Sequence, residues 1–200
     1  MTKIFLIRHG ETSVKDKIPG RTPGVYLNEK GKQQAENLAK RLSHVHLDAI
    51  FCSPLDRTIE TALPLASSKG IKIEERESLA EVDYGDWTLK TFMELNQLNE
   101  WKLYNTMRSN AAIPNGEMFI EIQSRMIKEI KGIMTKYPDG SAAVFSHGDP
   151  IKTVIAYYAG MPLDLLTRLT IYFASISLIT IGSDHVQINF INNGNELFLI

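Results

Sequence analysis

Lys3 to Thr12, near the start of the chain, constrain the fold more than any other stretch. They open with Ile4-Phe5-Leu6-Ile7, four apolar side chains with no polar residue between them. A strand with one wet face alternates apolar and polar residues. A run without alternation therefore reads as a strand buried on both faces, most simply a central parallel strand. The chemistry then changes abruptly to Arg8-His9-Gly10-Glu11-Thr12. In open α/β sheets ligands bind beyond the carboxyl ends of strands. Arg8 brings a planar fork of donors suited to phosphate oxygens. His9 brings a ring nitrogen able to act as nucleophile, base or ligand. Gly10 brings a sharp turn and an approachable N–H.

The same grammar recurs along the chain. Val14 to Leu27, with Pro19, Gly20, Pro23 and Gly24, reads as a loop crossing the carboxyl side of the first strand. Asn28 is placed to cap a helix whose apolar stripe is Ala35, Leu38, Ala39 and Leu42. Ala49-Ile50-Phe51-Cys52 is a second buried strand, and Ser53-Pro54 has the pattern of an N-cap followed by proline in the first turn. Ile71 to Ile73 reads as a short strand, Glu74 to Trp87 as a long loop, and Phe92 to Met107 as one helix. A long amphipathic helix over Glu117 to Tyr137 leads to a buried strand, Ala142 to Phe145, which ends at Ser146-His147-Gly148. A helix from about Asp149, with Asp149 as its cap, stops at Gly160-Met161-Pro162. Two or three strands fill the tail, Leu169 to Ile200. Alternating buried strands and helices predict an α/β chain, a three-layer α/β/α sandwich on a mostly parallel central sheet with a non-parallel edge.

Composition narrows the function classes. Two hundred residues with 44% hydrophobic and 22% charged content suit one globular domain over 1–200. A net charge of −1 supplies no field toward nucleic acid or an anionic membrane. No apolar run reaches membrane-spanning length, and the first residues lack a signal-peptide pattern, so a cytoplasmic location is expected. The single cysteine, Cys52, excludes an internal disulfide and fits a reducing compartment. A homodimer is left open.

Arg8-His9-Gly10-Glu11-Thr12 after an apolar strand resembles the signature of the histidine phosphatase superfamily, the phosphoglycerate mutase-like family. Ser53-Pro54-Leu55-Asp56-Arg57-Thr58-Ile59-Glu60-Thr61-Ala62 is similar to the family's SPLxRTxxTA run. The resemblance makes Arg57 a phosphate-binding arginine, although a cation in the first turn opposes the helix dipole. It places His147, in Ser146-His147-Gly148-Asp149, across the phosphate from His9. It matches Glu81, ahead of Tyr84-Gly85-Asp86-Trp87, to the family's acidic position, with Asp83 as the alternative. Where relatives often carry a glycine soon after the tryptophan, this chain has Thr88-Leu89-Lys90. The resemblance implies a phosphoglycerate mutase-like fold and phosphoryl transfer through His9, with no cofactor.

The chemistry is coherent. Arg8, Arg57 and His147 can neutralise a phosphomonoester and the charge of its in-line transition state. His9 can take the phosphoryl group onto nitrogen, and Glu81 can protonate the leaving oxygen and then activate water. None of these steps needs a metal. Gly10, Thr12, Lys15, Gly20, Arg21 and Gly148 complete the expected substrate-binding set for a small phosphorylated substrate. Lys15 and Arg21 stand where relatives read substrate, and are candidates for binding a second anionic group. The short stretch Trp87 to Glu117, with room for one helix, favours a phosphatase over a mutase, because a mutase must shield its phosphohistidine from water. The alternatives are a phosphoglycerate mutase and a silent phospho-ligand-binding module. Cys52 and Arg57, with four residues between them where a cysteine-dependent phosphatase loop has five, form a further competing reading. His44 and His46 lack the partners a metal site needs.

Overall fold

The computed structural model describes residues 1–194. A six-stranded sheet has the order β3-β2-β4-β1-β5-β6. Its strands are β1 (Thr2–Arg8), β2 (Ala49–Cys52), β3 (Ile73–Glu75), β4 (Ser141–Ser146), β5 (Ile176–Ile181) and β6 (Val186–Asn193). The first four run parallel, while β5 lies antiparallel to β1 and β6 antiparallel to β5. The expected mixed sheet with its antiparallel edge is present, and two tail strands fall within the described residues. The rest of the tail expectation, residues 195–200, lies outside them.

The absence of alternation in β1 has the anticipated consequence. Ile4 and Leu6 pack into one core and Phe5 and Ile7 into the other, on opposite sheet faces. Each such side chain contributes roughly 1.5–3 kcal/mol when fully buried. Helices α1 (Glu29–Arg41) and α2 (Asp56–Lys69) cover one face, and α5 (Phe119–Lys136) and α6 (Gly148–Ala159) the other. Between them, α3 (Phe92–Leu95) and α4 (Asn99–Thr106) replace the single helix expected over Phe92 to Met107. The break follows from capping. Thr91 and Glu94 form a reciprocal box that starts α3, and Asn96 turns its side-chain oxygen to the Trp101 indole N–H at 3.1 Å. Asn28 caps α1 as expected, its side chain accepting from the Gly31 N–H. Helix α2 begins two residues later than Ser53-Pro54 implied, with Leu55 at the N-cap position. Ser53 lies two residues before that position, and its hydroxyl contacts the site described below. Among the described residues no helix is long and apolar enough to cross a membrane.

Candidate active site

Strand register assembles the site. Arg8 of β1 lies opposite Ser146 of β4 in the parallel ladder, so the next residues, His9 and His147, emerge side by side. Their ring centroids are 5.1 Å apart. Cys52 of β2 pairs with Phe145 of β4, which brings Ser53 to the same level, and the Ser53 N–H donates to the Phe145 carbonyl at 2.9 Å. Helices α2 and α6 start immediately beyond these strand ends. Their first N–H groups, which have no acceptor within the helix, favour an anion there.

His9 is 5% exposed, and its Nδ1 lies 2.7 Å from the Gly10 carbonyl. A carbonyl can only accept, so Nδ1 carries the proton and Nε2 keeps the lone pair. Burial, with the charges of Arg8 and Arg57 in addition, holds His9 well below the ordinary histidine range, so the ring is neutral at pH 7. That is the form a nitrogen nucleophile requires. Burial depresses His147 likewise, with Arg57 and His9 adding to it. The Nε2 of His147 is 2.8 Å from Ser53 Oγ. That hydroxyl can donate to Nε2, which leaves the imidazole proton on Nδ1, the nitrogen that faces the Glu81 carboxyl. Nδ1 is buried without a hydrogen-bond partner, 3.8 Å from a Glu81 carboxylate oxygen.

The two arginines show the same incompleteness. Arg57, 1% exposed, spends Nη2 on the Gly20 carbonyl at 2.7 Å and leaves Nε and Nη1 unpartnered. Arg8 donates from Nη1 to the Ile171 carbonyl at 2.6 Å, stacks 3.9 Å over Phe173, and leaves Nε unpartnered. Buried donors without acceptors are costly, and an oxyanion would satisfy all of them. Arg8, His9, Thr12, Lys15, Gly20, Arg57, Glu81 and Gly148 line one cavity of about 400 Å³, and His147 is buried behind it.

Burial raises the Glu81 carboxyl above its ordinary value, and this outweighs the lowering by Arg57 and Arg8. Such a group holds a proton for a leaving oxygen. Asp83 does not line the cavity, and its carboxylate accepts from the Gly85 N–H at 3.0 Å. Geometry therefore favours Glu81 as the proton donor. Together with His9 and His147, Glu81 forms a group whose possible ligand atoms lie within 4.8 Å of one another. The guanidinium charges of Arg8 and Arg57 beside it oppose a cation and suit an anion.

Three expectations need correction. Gly10 does not offer its N–H to a ligand. That group donates to Thr61 Oγ1 at 2.9 Å, and the residue is small because a Cβ there would stand 2.7 Å from the Gly31 carbonyl oxygen of α1. Arg21 does not line the cavity. Its Nη2 pairs with Glu117 at 2.7 Å and its Nε donates to the Glu81 carbonyl at 2.8 Å, alongside Arg125. Arg21 thus holds the backbone that carries Glu81. Asp149 lies inside the first turn of α6, with His147 at the cap position, and its carboxylate pairs with Arg108 and Lys152 at 3.2 Å each. The cysteine-phosphatase reading also loses its basis, because Cys52 is a fully buried strand residue and burial pushes its thiol far up. Arg108, Lys17, Trp101 and Phe173 line the cavity without any local motif to mark them.

With this geometry in place, comparison with known proteins is direct. Residues 4–194 match the histidine phosphatase superfamily (branch 1). The chain belongs to that family. As a member it is a phosphomonoester hydrolase by class. Phosphoserine phosphatase 1 of Hydrogenobacter thermophilus is 28% identical over 184 residues, covering 90% of this chain and 86% of that one. A probable phosphoglycerate mutase, GpmB of Erwinia tasmaniensis, is 27% identical over 198 residues, covering 97% and 90%. The solved structure of Bacillus stearothermophilus YhfR superposes with a TM-score of 0.91 at 30% identity, covering 96% of this chain and 98% of that one.

Proposed function

We propose that this histidine phosphatase family member hydrolyses small phosphorylated metabolites, without a metal, through a phosphohistidine at His9. The observation that carries the reading is the convergence of unpartnered guanidinium nitrogens on the neutral imidazole of His9. Arg8, Arg57 and the Nδ1 proton of His147 take the phosphoryl oxygens. His9 Nε2 attacks phosphorus, the bond to the ester oxygen breaks, and the Glu81 proton goes to that oxygen. In the second step Glu81, now ionised, takes a proton from water. The water oxygen attacks phosphorus and the N–P bond breaks, releasing inorganic phosphate and restoring the acid. A cavity of about 400 Å³ favours a small ester.

The test is rapid quench with labelled substrate in the presence of EDTA. Wild-type protein should yield an acid-labile, base-stable phosphoenzyme and release phosphate without a bisphosphoglycerate primer, while His9→Ala yields neither. A trapped phosphoserine or phosphocysteine, or activity that only added Mg²⁺ or Zn²⁺ restores, would overturn the mechanism. Interconversion of 3-phosphoglycerate and 2-phosphoglycerate much faster than phosphate release would replace the phosphatase with a mutase.

A further inference from the structure

The segment just before β5 is fastened to the end of β1 through its backbone. The Arg8 N–H donates to the Ser175 carbonyl at 3.2 Å, and the Ala174 N–H is shared between the Arg8 and His9 carbonyls at 3.1 Å each. The Ser175 N–H and hydroxyl both donate to the Tyr172 carbonyl, at 3.2 and 2.8 Å. These bonds close a tight turn with Phe173 and Ala174 at its centre. Ala174 is buried and stands at φ 52°, in the left-handed region. A Cβ is disfavoured there, and a residue other than glycine keeps that conformation only where its surroundings over-determine it.

What the turn presents is the Phe173 ring. The Arg8 guanidinium carbon lies over that ring, 3.9 Å from its centroid, and the His9 ring is 5.5 Å away, tilted by 50°. Gly148 lies against the same guanidinium, where a Cβ would stand 3.5 Å from Cζ and Nε. Among the described residues one hydrogen bond holds the guanidinium, from Nη1 to the Ile171 carbonyl at 2.6 Å, and Nε is left without a partner. A single bond lets the planar group swing about it. A ring face beneath the group removes that freedom, because the electron-rich face attracts the cation, more strongly where water is excluded. Ile171 and Phe173 belong to one short segment, so the same turn sets both the anchor of Nη1 and the plane of the fork.

We propose that Phe173 is a positioning residue for phosphoryl transfer: its ring, presented by the left-handed turn at Ala174, fixes the plane of the Arg8 guanidinium and so aims the free Nε at a phosphoryl oxygen. The inference rests on the phosphomonoesterase reading above and adds to it a residue that no sequence motif marks. Arg8 serves the phosphoryl group, which every ester shares, so loss of the ring costs all substrates alike. A side chain that only walled the cavity would act on the alcohol part and cost each ester differently.

The test pairs Phe173→Leu, which keeps apolar bulk without a ring face, with Phe173→Tyr, which keeps the face. Phe173→Leu should lower kcat about tenfold for 4-nitrophenyl phosphate and for glycerol 3-phosphate alike, with KM nearly unchanged, because orientation rather than charge is lost. Phe173→Tyr should recover most of that loss. The Arg8 ¹³Cζ resonance, identified by its disappearance in Arg8→Lys, reads the stacking without turnover. The ring should displace it in the wild type and in Phe173→Tyr, and Phe173→Leu should return it to the position of unstacked arginines. If Phe173→Leu does not fold, Phe173→Met carries the comparison. Unchanged kcat in the folded variant, a loss confined to one ester, no recovery in Phe173→Tyr, or an unmoved ¹³Cζ resonance overturns the inference while leaving the phosphatase intact. Failure of both esters to release phosphate from the wild type instead overturns the phosphatase reading. The ¹³Cζ resonance and calorimetry with orthovanadate, which adopts the five-coordinate geometry of in-line transfer, then decide the role of Phe173. That role requires Phe173→Leu to weaken vanadate severalfold, and equal affinity overturns it.

Discussion

Replacing Ser53 by alanine isolates a single hydroxyl whose proton sets the tautomer of His147. Ser53 and His147 are both fully buried, and their contact is 2.8 Å. In Ser53→Ala the Nε2 atom loses its donor in a place water does not reach, while Nδ1 already lacks a partner. Leaving such a buried group unsatisfied costs roughly 1–3 kcal/mol. At the middle of that range, Tm should fall by about 4–8 °C for a domain of this size. If the whole loss appears in the transition state, kcat/KM falls about 30-fold, because the ring no longer holds its proton on the nitrogen beside Glu81. Steady-state phosphate release and thermal unfolding measure the two effects. Imidazole ¹⁵N shifts read the tautomer directly, and the wild type should show Nδ1–H at His147. A wild-type proton on Nε2 would refute the argument, as would a Ser53→Ala protein with unchanged Tm and kcat/KM.

Two further substitutions separate roles that lie close together in space. Because burial raises the Glu81 carboxyl, its protonated form persists to higher pH than in an ordinary glutamate. The kcat/KM for alkyl phosphates should therefore decline as pH rises through that elevated value. Glu81→Gln should abolish this basic limb and slow alkyl esters at least tenfold more than activated aryl phosphates, whose leaving groups need no proton; equal slowing would reduce Glu81 to positioning. Arg21→Ala removes a partly exposed ion pair, for which a stability loss below about 1 kcal/mol is appropriate. It should lower kcat a few-fold by loosening the backbone of Glu81 without altering the 3-phosphoglycerate to glycerol 3-phosphate ratio, and a changed ratio would return Arg21 to substrate recognition.

What the sequence determined by itself was local. An apolar run without alternation reads as a strand wet on neither face, and Ile4 to Ile7 divide between two cores accordingly. Asn28 caps its helix because the interaction spans three residues. Arg8, His9 and His147 were each marked by a strand giving way to a polar turn, a signal contained within a few positions, whereas Arg57 was marked by the likeness of its segment to the family's SPLxRTxxTA run. Tertiary structure decided everything that joins distant segments. Ser53 looked like a cap until β2 met β4 and its hydroxyl found His147, 94 residues away. Arg21 looked like a substrate ligand until Glu117, 96 residues on, took its charge. Arg108 lies in no motif, and only the packing of its segment beside α6 turns it toward the cavity. The physical reason is that periodicity and capping report energies within one element. The partner of a charged or hydroxyl group is chosen by sheet register and helix packing, and those are settled by the burial of many side chains at once.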